Sequence, residues 1–526
     1  MILLAARREI PMSNTYYITT PIYYTNGEPH LGHVYCTVCT DVLARFHRLC
    51  GEDVHMLTGT DEHGIKMVKT AAALNTEPAA LAHKNAMVFR DVWKEMGIIN
   101  DDFIRTTEPR HKLSVQEIIR RMVARDDIYL SSYEGWYDEG QEEFVTETEA
   151  KVNEYKSAIS GRPLLRYKEQ SYFFRLSKYV PQVLKHIENH PDFVQPESRR
   201  NEVMSKIKAG VDDLSISRAT LKWGIPLPND PEHVVYVWID ALSNYITALG
   251  FGSMDETLYR KYWPGVHVIG KEILWFHCVY WPAMLLSLGE PLPKGIFAHG
   301  WWTSEGKKMS KSMGNFVDLE RLRAIAKAYS NDALRYYMVR AGNFGSDLDW
   351  TEIDFIKSFN ELANVLGNGL NRTIKMIGKY RDGKVPLVQA ELEPIDRALV
   401  EKMDALGDAV RAAYLRYDLQ AAATLPLELA RQTNGYIEST EPFKLAKDPA
   451  KAQRLSTVLG LAAEAIAKAL MALIPVLPEK AIEGLKQFNI DFAGKSFDEL
   501  MNAKLPAGHQ LGDGKPLFPK VEPSKD

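Results

Sequence analysis

The sequence predicts an α/β protein in which a parallel-sheet domain, interrupted by an insertion, precedes an all-helical domain. Apolar, β-rich runs at 54–58, 234–239, 266–269 and 296–298 alternate with helical patterns. Near-continuous apolar strands of this kind indicate a parallel sheet covered by helices on both faces. From residue 351 to about 488, long helical patterns replace the strands, as in a helical bundle.

The first element is an extended, β-branched and aromatic run at 16–20, followed by a turn-forming segment at 25–29. A helix comes next, because its apolar residues recur at helical spacing: Val34, Val38, Val42, Phe46 and Leu49. His30 and His33 belong to its first turn. Free backbone N–H groups and the positive dipole end of a helix suit a phosphate, so the pattern predicts a phosphate site. A short string of this kind also occurs by chance in many chains.

A second short string, Lys-Met-Ser-Lys-Ser at 308–312, lies between Gly306 and Gly314. Its lysines and flanking glycines predict a mobile loop that closes on a polyphosphate. The alternative for such a loop is a solvated surface segment. In this order, the two strings indicate the halves of an ATP site that moves adenylate onto a carboxylate.

The motif residues follow predicted strand ends: His30 and His33, Asp61, residues 238–245, residues 270–277 and residues from 300 onward. Ligands of open parallel sheets bind at the carboxyl ends of the strands. The convergence of these segments therefore predicts a single site.

Between about residues 126 and 214 the alternation stops, which predicts an inserted unit. Beyond it, helical patterns at 395–419, 421–438 and 452–473 are separated by short loops. The segment after Gly508 is rich in Pro, Lys and Gly, which is typical of a loosely ordered tail.

Length, composition and net charge limit the kinds of function that this chain is expected to have. A chain of 526 residues has room for two to four domains, and its net charge of −4 argues against a generally basic nucleic-acid coat. A local positive face is still open to RNA, with Arg199, Arg200, Lys206 and Lys208 as candidates. The alternative for each of these is solvated surface.

The 4 cysteines indicate no disulfide framework and fit a reducing cytosol. Cys36 and Cys39 have metal-ligand spacing, but both lie in the first predicted helix without a second pair, so packing is predicted. No apolar run approaches the roughly 20 residues that span a membrane. Residues 1–8 are too short for a signal peptide, and Met12 is an alternative start.

Five further strings occur at 20–24, 58–64, 236–242, 269–273 and 300–302. Together with the histidine and lysine strings, they make the chain resemble the class I aminoacyl-tRNA synthetases and, more narrowly, the methionyl-tRNA synthetase family. The resemblance implies a Rossmann-like catalytic domain with a connective insertion, followed by a helical anticodon-binding domain. It also implies a cytoplasmic, monomeric methionine–tRNA ligase with no membrane partner. Such an enzyme activates L-methionine with ATP to methionyl-adenylate and pyrophosphate, then transfers methionine to the 3′-terminal ribose of tRNA(Met).

The expected domain boundaries follow from these changes in pattern. They are 13–125 and 215–300 for the two catalytic halves, 126–214 for the zinc-free insertion, 301–354 for the lysine-loop and stem-contact region, 355–510 for the anticodon-binding domain and 511–526 for a flexible tail.

ATP is expected to bind with Mg²⁺, and the resemblance implies eight contacting residues: His30, Gly32, His33, Gly270, Glu272, Lys308, Ser310 and Lys311. The two histidines would hold the phosphates and stabilise pentavalent phosphorus, while Lys308 and Lys311 would neutralise the β- and γ-phosphates. These four are the predicted catalytic residues. Positioning and charge neutralisation supply most of the acceleration in such a reaction. Gly270 and Glu272 are expected at the adenosine.

A methionine site must pair an ammonium group and enclose a thioether. The resemblance implies ten residues for this: Ile22, Tyr24, Asp61, Trp238, Ala241, Leu242, Tyr245, Ile273, Phe276 and His277. Asp61 is the expected partner of the ammonium group, with helix capping as its alternative. His277 and Tyr24 are expected as donors to the sulfur. Without the resemblance, aromatic residues at helical spacing are more often core residues, and Leu242 stands where some relatives carry Pro.

In this family the insertion commonly carries a zinc knuckle with two C-x-x-C pairs. The matching positions are Asp138, Gln141, Ser157 and Ser160. None of them is a thiolate, so no structural zinc is expected. The appended RNA-binding and dimer-forming domain of some relatives also has no counterpart in this sequence.

The resemblance implies anticodon contacts from Asn364, Asn368, Arg372 and Phe443. The first three recur at i, i+4 and i+8, which puts them along one helix face. Helix–helix hydrogen bonding is the alternative for the two asparagines. Phe443 follows a proline where the family usually presents Trp.

Two other functions are considered. A nucleotidylyltransferase that joins AMP to another small acid shares the histidine string, but does not explain the helical domain or residues 238–245. A synthetase-derived RNA-binding protein without catalysis is disfavoured by the intact histidines, lysines and Asp61. Methionine-dependent ATP–pyrophosphate exchange distinguishes all three.

Overall fold

The structure, a computed structural model, describes residues 15–140, 143–145, 147–309 and 315–519. Its first part alternates strands and helices: β1 (Thr15–Tyr24), α1 (Leu31–Leu49), β2 (Asp53–Asp61), α2 (Ile65–Ala73), α3 (Pro78–Glu95), β3 (Asp102–Arg105) and α4 (Pro109–Ala124). β1 is mostly β-branched and aromatic, and its register against β2 shifts between Thr19 and Ile22. Pro21 lies in this irregularity, where a residue without an N–H is tolerated.

The insertion follows with β4 (Ile128–Asp138), β5 (Glu143–Val145), α5 (Glu147–Val152), β6 (Leu165–Phe174), α6 (Leu176–Asn189), β7 (Val194–Gln195), α7 (Glu197–Lys208) and β8 (Leu214–Ser215). Four of its strands form a separate sheet in the order β5-β4-β6-β8. β7 instead extends the main sheet. The insertion is therefore joined to the catalytic domain by strand pairing as well as by the chain.

The second part contains β9 (Ser217–Arg218), β10 (Pro226–Leu227), β11 (Asp230–Val235), α8 (Val237–Thr247), α9 (Thr257–Tyr262), β12 (Val266–Gly270), α10 (Trp281–Leu288) and β13 (Gly295–His299). A 3-10 turn (Lys271–Ile273) and a π turn (Phe276–Tyr280) join β12 to α10. A small sheet in the order β15-β14-β16 comes next, with two helices between its strands: β14 (Trp302–Ser304), β15 (Lys307–Lys308), α11 (Leu319–Ala328), α12 (Asn331–Arg340) and β16 (Leu348–Trp350).

The remainder is helical: α13 (Glu352–Glu361), α14 (Asn368–Arg381), α15 (Pro394–Leu415), α16 (Leu419–Thr440), α17 (Pro442–Leu445), α18 (Ala452–Leu473), α19 (Lys480–Gln487) and α20 (Phe497–Asn502). A π turn (Leu362–Gly367) joins α13 to α14 without a break. This confirms the helical patterns at 395–419, 421–438 and 452–473, with ends that differ by a few residues.

The main sheet has the order β3-β2-β1-β12-β13-β7 and all its pairs are parallel. The chain builds outward from β1 to β3, adds β7 at the far edge, and then returns to β12 beside β1 and to β13. The strand order therefore reverses between β1 and β12, and open α/β sheets bind ligands at the carboxyl ends beside such a reversal. Tyr24 and Gly270 are the last residues of these two strands.

Alternate residues of β1 face two different apolar clusters. Tyr16 and Ile18 lie in a cluster that continues through α1 into the helical domain and reaches Phe518. Tyr17 lies in a second cluster, on the other face of the sheet, with residues of α4, α8 and α10. Because the first cluster is continuous, the sheet and the helical domain share one core.

The helix α18, with the residues that lead into it, is the one candidate membrane span among the described residues. Its apolar window is 89% buried inside the protein, as expected of the central helix of a bundle. Cys36 and Cys39 are buried in α1, which confirms the prediction that they are packing residues.

Two expectations are wrong. The predicted strand at 234–239 ends at Val235, in a small antiparallel sheet with β9 and β10, and α8 begins at Val237. An apolar run of this length does not separate a strand from a buried helix. The expected loose tail from residue 511 is packed at its start, because Leu511, Leu517 and Phe518 are buried. Residues 520–526 lie outside the described residues.

Candidate active site

The motif segments meet at the carboxyl edge of the main sheet. Asp61, Gly270 and His299 are the last residues of β2, β12 and β13, and His30 follows β1. In the parallel register Tyr24 is paired with Asp61. The convergence predicted from the sequence is therefore confirmed for these strands.

His30 and His33 stack on one another at the start of α1, with ring centroids 3.8 Å apart. His30 caps the helix, because its Nδ1 accepts a hydrogen bond from the Gly32 N–H at 3.1 Å. The N–H of Leu31 donates to the carbonyl of Val317. Two of the N–H groups that the sequence left free for a phosphate thus have protein partners, so the imidazoles themselves are the donors best placed for an anion.

Burial, together with nearby His30 and His299, lowers the pKa of His33 well below its usual value. His33 is therefore neutral at physiological pH, and it meets a phosphate as a hydrogen-bond donor rather than as a cation. The Nδ1 atom of His33 is buried without a hydrogen-bond partner in the structure.

The lysine segment begins in the small sheet. Lys308 belongs to β15, whose backbone pairs with Thr303 in β14. The side chain of Lys308 is not described, and Ser310 and Lys311 lie outside the described residues. On the far side of that gap, Phe316 packs edge-on against the His30 ring at 5.3 Å. The chain that follows the loop is therefore packed against the first turn of α1.

Gly270 and Glu272 form the turn after β12. The carboxylate of Glu272 folds back over Gly270, at a place that a Cβ would fill. Its Oε2 accepts a hydrogen bond from the Trp301 indole at 2.9 Å. Lys271 pairs with Asp347 at 2.6 Å. This turn thus presents one oriented carboxylate at the end of the strand.

Most of the predicted methionine residues pack as one apolar cluster, which is called the recess below because the methionine side chain is expected there. Trp238, Ala241, Leu242 and Tyr245 follow the i, i+3, i+4, i+7 pattern of a single face of α8, and all four are buried. The Phe276 ring stacks on Trp238 at 3.7 Å with an interplanar angle of 7°. Three partly buried residues complete the same cluster: Ile22, Tyr24 and Ile273.

His277 is fixed in this recess by two hydrogen bonds. Its Nδ1 donates to the Ile273 carbonyl at 2.9 Å, and its Nε2 lies 2.6 Å from the Tyr245 hydroxyl. Burial lowers its pKa to about 4, so the ring is neutral and Nε2 accepts from Tyr245. Both nitrogens have protein partners here, so the expected donation from His277 to the sulfur requires breaking one of these bonds.

Asp61 is 3% exposed and is paired with Tyr24 where β1 and β2 end. The next residue, Glu62, is held by Arg105 at 2.7 Å and by the Thr107 hydroxyl at 2.6 Å. The Trp223 indole donates to the Glu62 carbonyl at 2.7 Å. The segment that carries Asp61 is therefore rigidly placed, which suits a carboxylate that orients a substrate.

Two of the residues at the knuckle positions accept hydrogen bonds within turns. Asp138 Oδ1 accepts from the Gly140 N–H at 2.8 Å, and Ser157 Oγ accepts from the Ser160 N–H at 3.0 Å. Gln141 lies outside the described residues. Within the described parts of the chain, no group of three or more His, Cys, Asp or Glu side chains is placed to hold a metal ion.

The predicted anticodon residues lie on an exposed face of the helical domain. Asn364 is in the π turn and Asn368 begins α14; both are exposed and make no helix–helix hydrogen bond that is described. Arg372 lies 3.8 Å from Glu438 of α16. Phe443, just beyond α16, is 44% exposed. The ion pair brings the two helices together, so these residues belong to one surface.

Two groups of buried residues were missed from the sequence. His299 ends β13, and its ring lies close enough to His33 to lower that group's pKa. Its position one residue before Gly300 was the available signal. The second group is Asp240 with His63 and His111, in which the aspartate contacts one histidine through each oxygen at 2.7 Å. No spacing pattern links three such distant positions.

The parallel sheet with reversed strand order and stacked histidines beside the reversal is that of a class I aminoacyl-tRNA synthetase. The family model described as tRNA synthetases class I (M) matches residues 16–153 and 147–374. The chain is 45% identical to the methionine–tRNA ligase of Enterococcus faecalis, over 97% of this chain and 77% of that protein. It is 43% identical to the Bacillus subtilis methionine–tRNA ligase, over 98% and 79%.

Solved structures agree with these relatives. The Mycobacterium tuberculosis methionyl-tRNA synthetase in complex with methionyl-adenylate has a TM-score of 0.92 at 41% identity, covering 96% of this chain and 100% of that chain. The apo form of the same enzyme has a TM-score of 0.85 at 38% identity, covering 97% and 98%. The chain belongs to the methionyl-tRNA synthetase family and is a methionine–tRNA ligase.

Proposed function

We propose that the stacked histidines, the lysine loop and the turn after β12 together bind ATP for methionine activation. The observation that carries this proposal is the contact between the segment after the loop and the first turn of α1: Phe316 packs on His30, and the Leu31 N–H donates to the Val317 carbonyl. Lysines held there meet the same polyphosphate as His30 and His33. Glu272 accepts from the ribose hydroxyls, because its carboxylate is already oriented by Trp301.

In the first step the methionine carboxylate attacks the α-phosphorus, and pyrophosphate leaves. Neutral imidazoles donate hydrogen bonds to the α-phosphate oxygens, and Lys308 and Lys311 balance the charge on pyrophosphate. Mg²⁺ would arrive bound to ATP and would supply charge neutralisation on its phosphates. The described residues offer no group of acidic or imidazole ligands that would hold the ion without the nucleotide.

Methionine binds with its ammonium group at Asp61 and its thioether in the recess on α8. The recess supports this assignment because its walls are apolar and aromatic, which favours a thioether. Its neutral His277 adds no charge beside the sulfur. Since Tyr24 and Asp61 are neighbours in the sheet, the ammonium group lies at the strand ends and the side chain points toward α8.

In the second step the 3′ end of tRNA(Met) reaches the adenylate from the side of the insertion. A cavity of about 380 Å³ there is lined by Arg199, Lys206, Lys271, Glu272, Trp275 and Trp301. Lys206 lies over the Trp275 ring at 4.6 Å, and Lys271 lies over Trp301 at 4.1 Å. Cations beside exposed rings suit single-stranded RNA, which binds by stacking and by phosphate contacts.

The anticodon is read at the other end of the molecule by Asn364, Asn368, Arg372 and Phe443. Exposed amides suit base edges, and a guanidinium or phenyl ring suits stacking. The exposure of both asparagines supports this role over helix packing. The domain boundaries given above are kept for these roles, apart from the tail that packs against the helical domain.

The enzyme acts as a cytoplasmic monomer without structural zinc. The four free cysteines support a reducing compartment. The turn hydrogen bonds of Asp138 and Ser157 support a knuckle that is held without metal. Sedimentation and metal analysis of the purified chain test both statements.

The ATP site is tested by methionine-dependent ATP–pyrophosphate exchange with His30→Ala and Lys311→Ala. Each change removes a donor that strengthens in the transition state, so we expect exchange to fall about 10²- to 10³-fold. The matched control is His190→Ala, which removes an exposed histidine of the insertion and leaves exchange unchanged. Full exchange in both test variants would refute the assigned roles.

A further inference from the structure

A buried chain of hydrogen bonds lies behind the methionine recess. The two carboxylate oxygens of Asp240, on α8, lie 2.7 Å from His63 Nδ1 and 2.7 Å from His111 Nε2. The remaining ring nitrogen of His111 lies 2.7 Å from the Thr247 hydroxyl, two turns further along α8. Asp240 and His111 are each 0% exposed, and His63 is 2% exposed.

The charge of Asp240 determines which group donates in its two hydrogen bonds. Although burial opposes ionisation, His63 and His111 lower the pKa of the Asp240 carboxyl below its usual value. An ionised carboxylate has no hydrogen to give, so both histidine nitrogens that face it must donate. A charge this deeply buried requires both donors, since losing one leaves it poorly compensated. The geometry of the three residues is therefore tightly determined.

The same helix carries this chain and the methionine recess on different faces. Trp238, Ala241 and Tyr245 line the recess, whereas Asp240 and Thr247 form a stripe on the opposite face of α8. Because His111 of α4 contacts both ends of that stripe, it fixes the rotation of α8 about its axis. The rotation of α8 sets where the recess points.

The other end of the chain reaches the ammonium site. His63 is two residues after Asp61, and the intervening Glu62 is held by Arg105 and Thr107. The His63–Asp240 hydrogen bond thus joins the segment that carries Asp61 to the helix that carries the recess. It connects the two parts of the proposed site, one of which binds the ammonium group and the other the thioether of the same methionine.

We infer that Asp240, His63 and His111 are positioning residues that hold Asp61 at a fixed distance from the thioether recess. They act through Asp61 and α8. The inference deepens the proposed function and rests on Asp61 binding the ammonium group.

The test compares His63→Ala with His63→Asn in the full chain. The asparagine amide nitrogen occupies nearly the place of Nδ1, so it preserves the bond to Asp240, whereas alanine removes it. We expect alanine to raise the KM for methionine about tenfold or more, the usual effect of losing an outer partner of a site, with the KM for ATP unchanged. Asparagine is expected to stay within about twofold of wild type.

The decisive probe is a methionine analogue without the ammonium group, 4-(methylsulfanyl)butanoic acid, with L-methioninol as the analogue that keeps it. Titration calorimetry on His63→Ala should show weaker methioninol binding, by about tenfold, and unchanged binding of the deaminated acid. Equal loss for both analogues would overturn the inference, because it would mean general damage to the recess. No loss for either would overturn it too.

Should His63→Ala fail to fold, His63→Gln takes its place, since its amide lies one methylene too far to donate from the same point. Asp61→Asn separates this inference from the proposed function. If Asp61→Asn binds methioninol normally, the assigned role of Asp61 fails. If Asp61→Asn is impaired while His63→Ala and His63→Gln are normal, only the positioning role fails.

Discussion

At the scale of single residues, Asp332 shows how burial and hydrogen bonding oppose one another. Its side chain, on α12, is 0% exposed, and its Oδ2 accepts from the backbone N–H groups of Glu479 at 3.0 Å and Lys480 at 2.6 Å. Burial raises the pKa of its carboxyl to about 6, despite these donors and nearby Arg335. The folded state therefore holds this proton more tightly than the unfolded chain, whose carboxyl titrates near about 4.

The sign of the pH dependence follows directly. The protonated Asp332 carboxyl contributes its full stabilisation to the folded state below about pH 4. This contribution is lost as the pH rises toward about 6, where the buried carboxyl ionises. Asp332→Asn keeps an acceptor for both N–H groups and cannot ionise. We expect its free energy of unfolding at pH 8 to exceed that of wild type by about 1 to 3 kcal/mol, with little difference at pH 4. Urea unfolding at both pH values measures this, and equal stability at pH 8 would contradict it.

His277 marks the limit of what the sequence predicted at this scale. Its membership of the methionine site followed from the family resemblance, and the structure places it in the same recess as Tyr245. Its partners did not follow, because a ring nitrogen bonds to whichever group the fold brings near. The Asp240 cluster is a stronger case, since its members are separated by 129 and 177 residues.

At the scale of elements, the π turn between α13 and α14 has a visible cause. Asn434 of α16 donates through Nδ2 to the Val365 carbonyl at 2.9 Å, inside the turn. A side chain that bonds to a helix carbonyl in this way stabilises a local change of helical register. The turn also contains Asn364 and precedes Asn368, so it sets the angle between two proposed anticodon contacts.

Asn434→Ala removes this hydrogen bond and should let the π turn relax toward regular helix. We expect a stability loss of about 1 kcal/mol and a several-fold higher KM for tRNA(Met), since the proposed contacts lose their relative placement. Methionine-dependent pyrophosphate exchange should not change. Ser439→Ala, an exposed change on the same helix, is the control. A matching rise in KM for the control, or a loss of exchange, would argue against this role of the turn.

Elements were predictable where the apolar pattern was long. α1, α15, α16 and α18 each span 19 or more residues, and their helical spacing was plain in the sequence. The strand prediction at 234–239 was wrong because a run of six apolar residues is compatible with both a strand and a buried helix. The pairing of β7 with the main sheet could not be predicted from the sequence either, because a strand of two residues is too short to show a hydrophobic pattern.

At the scale of the whole molecule, Arg335 joins the catalytic and helical parts. Its guanidinium is 2% exposed and contacts Asp41 of α1 at 2.6 Å. It also donates to the carbonyls of Pro475 and Val476, between α18 and α19. Arg335 lowers the pKa of the Asp41 carboxyl against the effect of burial, so the pair is charged.

Arg335→Met should destabilise the whole chain by about 3 kcal/mol or more, because it leaves a buried carboxylate with fewer partners. The two parts share one apolar core, so we expect a single unfolding transition at a lower temperature. Arg323→Ala is the control: Arg323 pairs with Glu95 of α3, but that pair is about half exposed and is worth at most about 1 kcal/mol. Calorimetry that resolves two separate transitions would contradict a shared core.

In chain order, the small sheet β15-β14-β16 lies between the parallel-sheet domain and the helical domain. β15 carries Lys308, and β16 ends at Trp350, two residues before α13 begins. From there an unbroken helix runs to Arg381 through the π turn, which at 1.5 Å per residue is a rod of about 45 Å. This helix connects the surface proposed for the anticodon directly to the strand beside the lysine hairpin. A transfer RNA bound at Asn364, Asn368 and Arg372 would therefore contact the same continuous helix that begins next to β16.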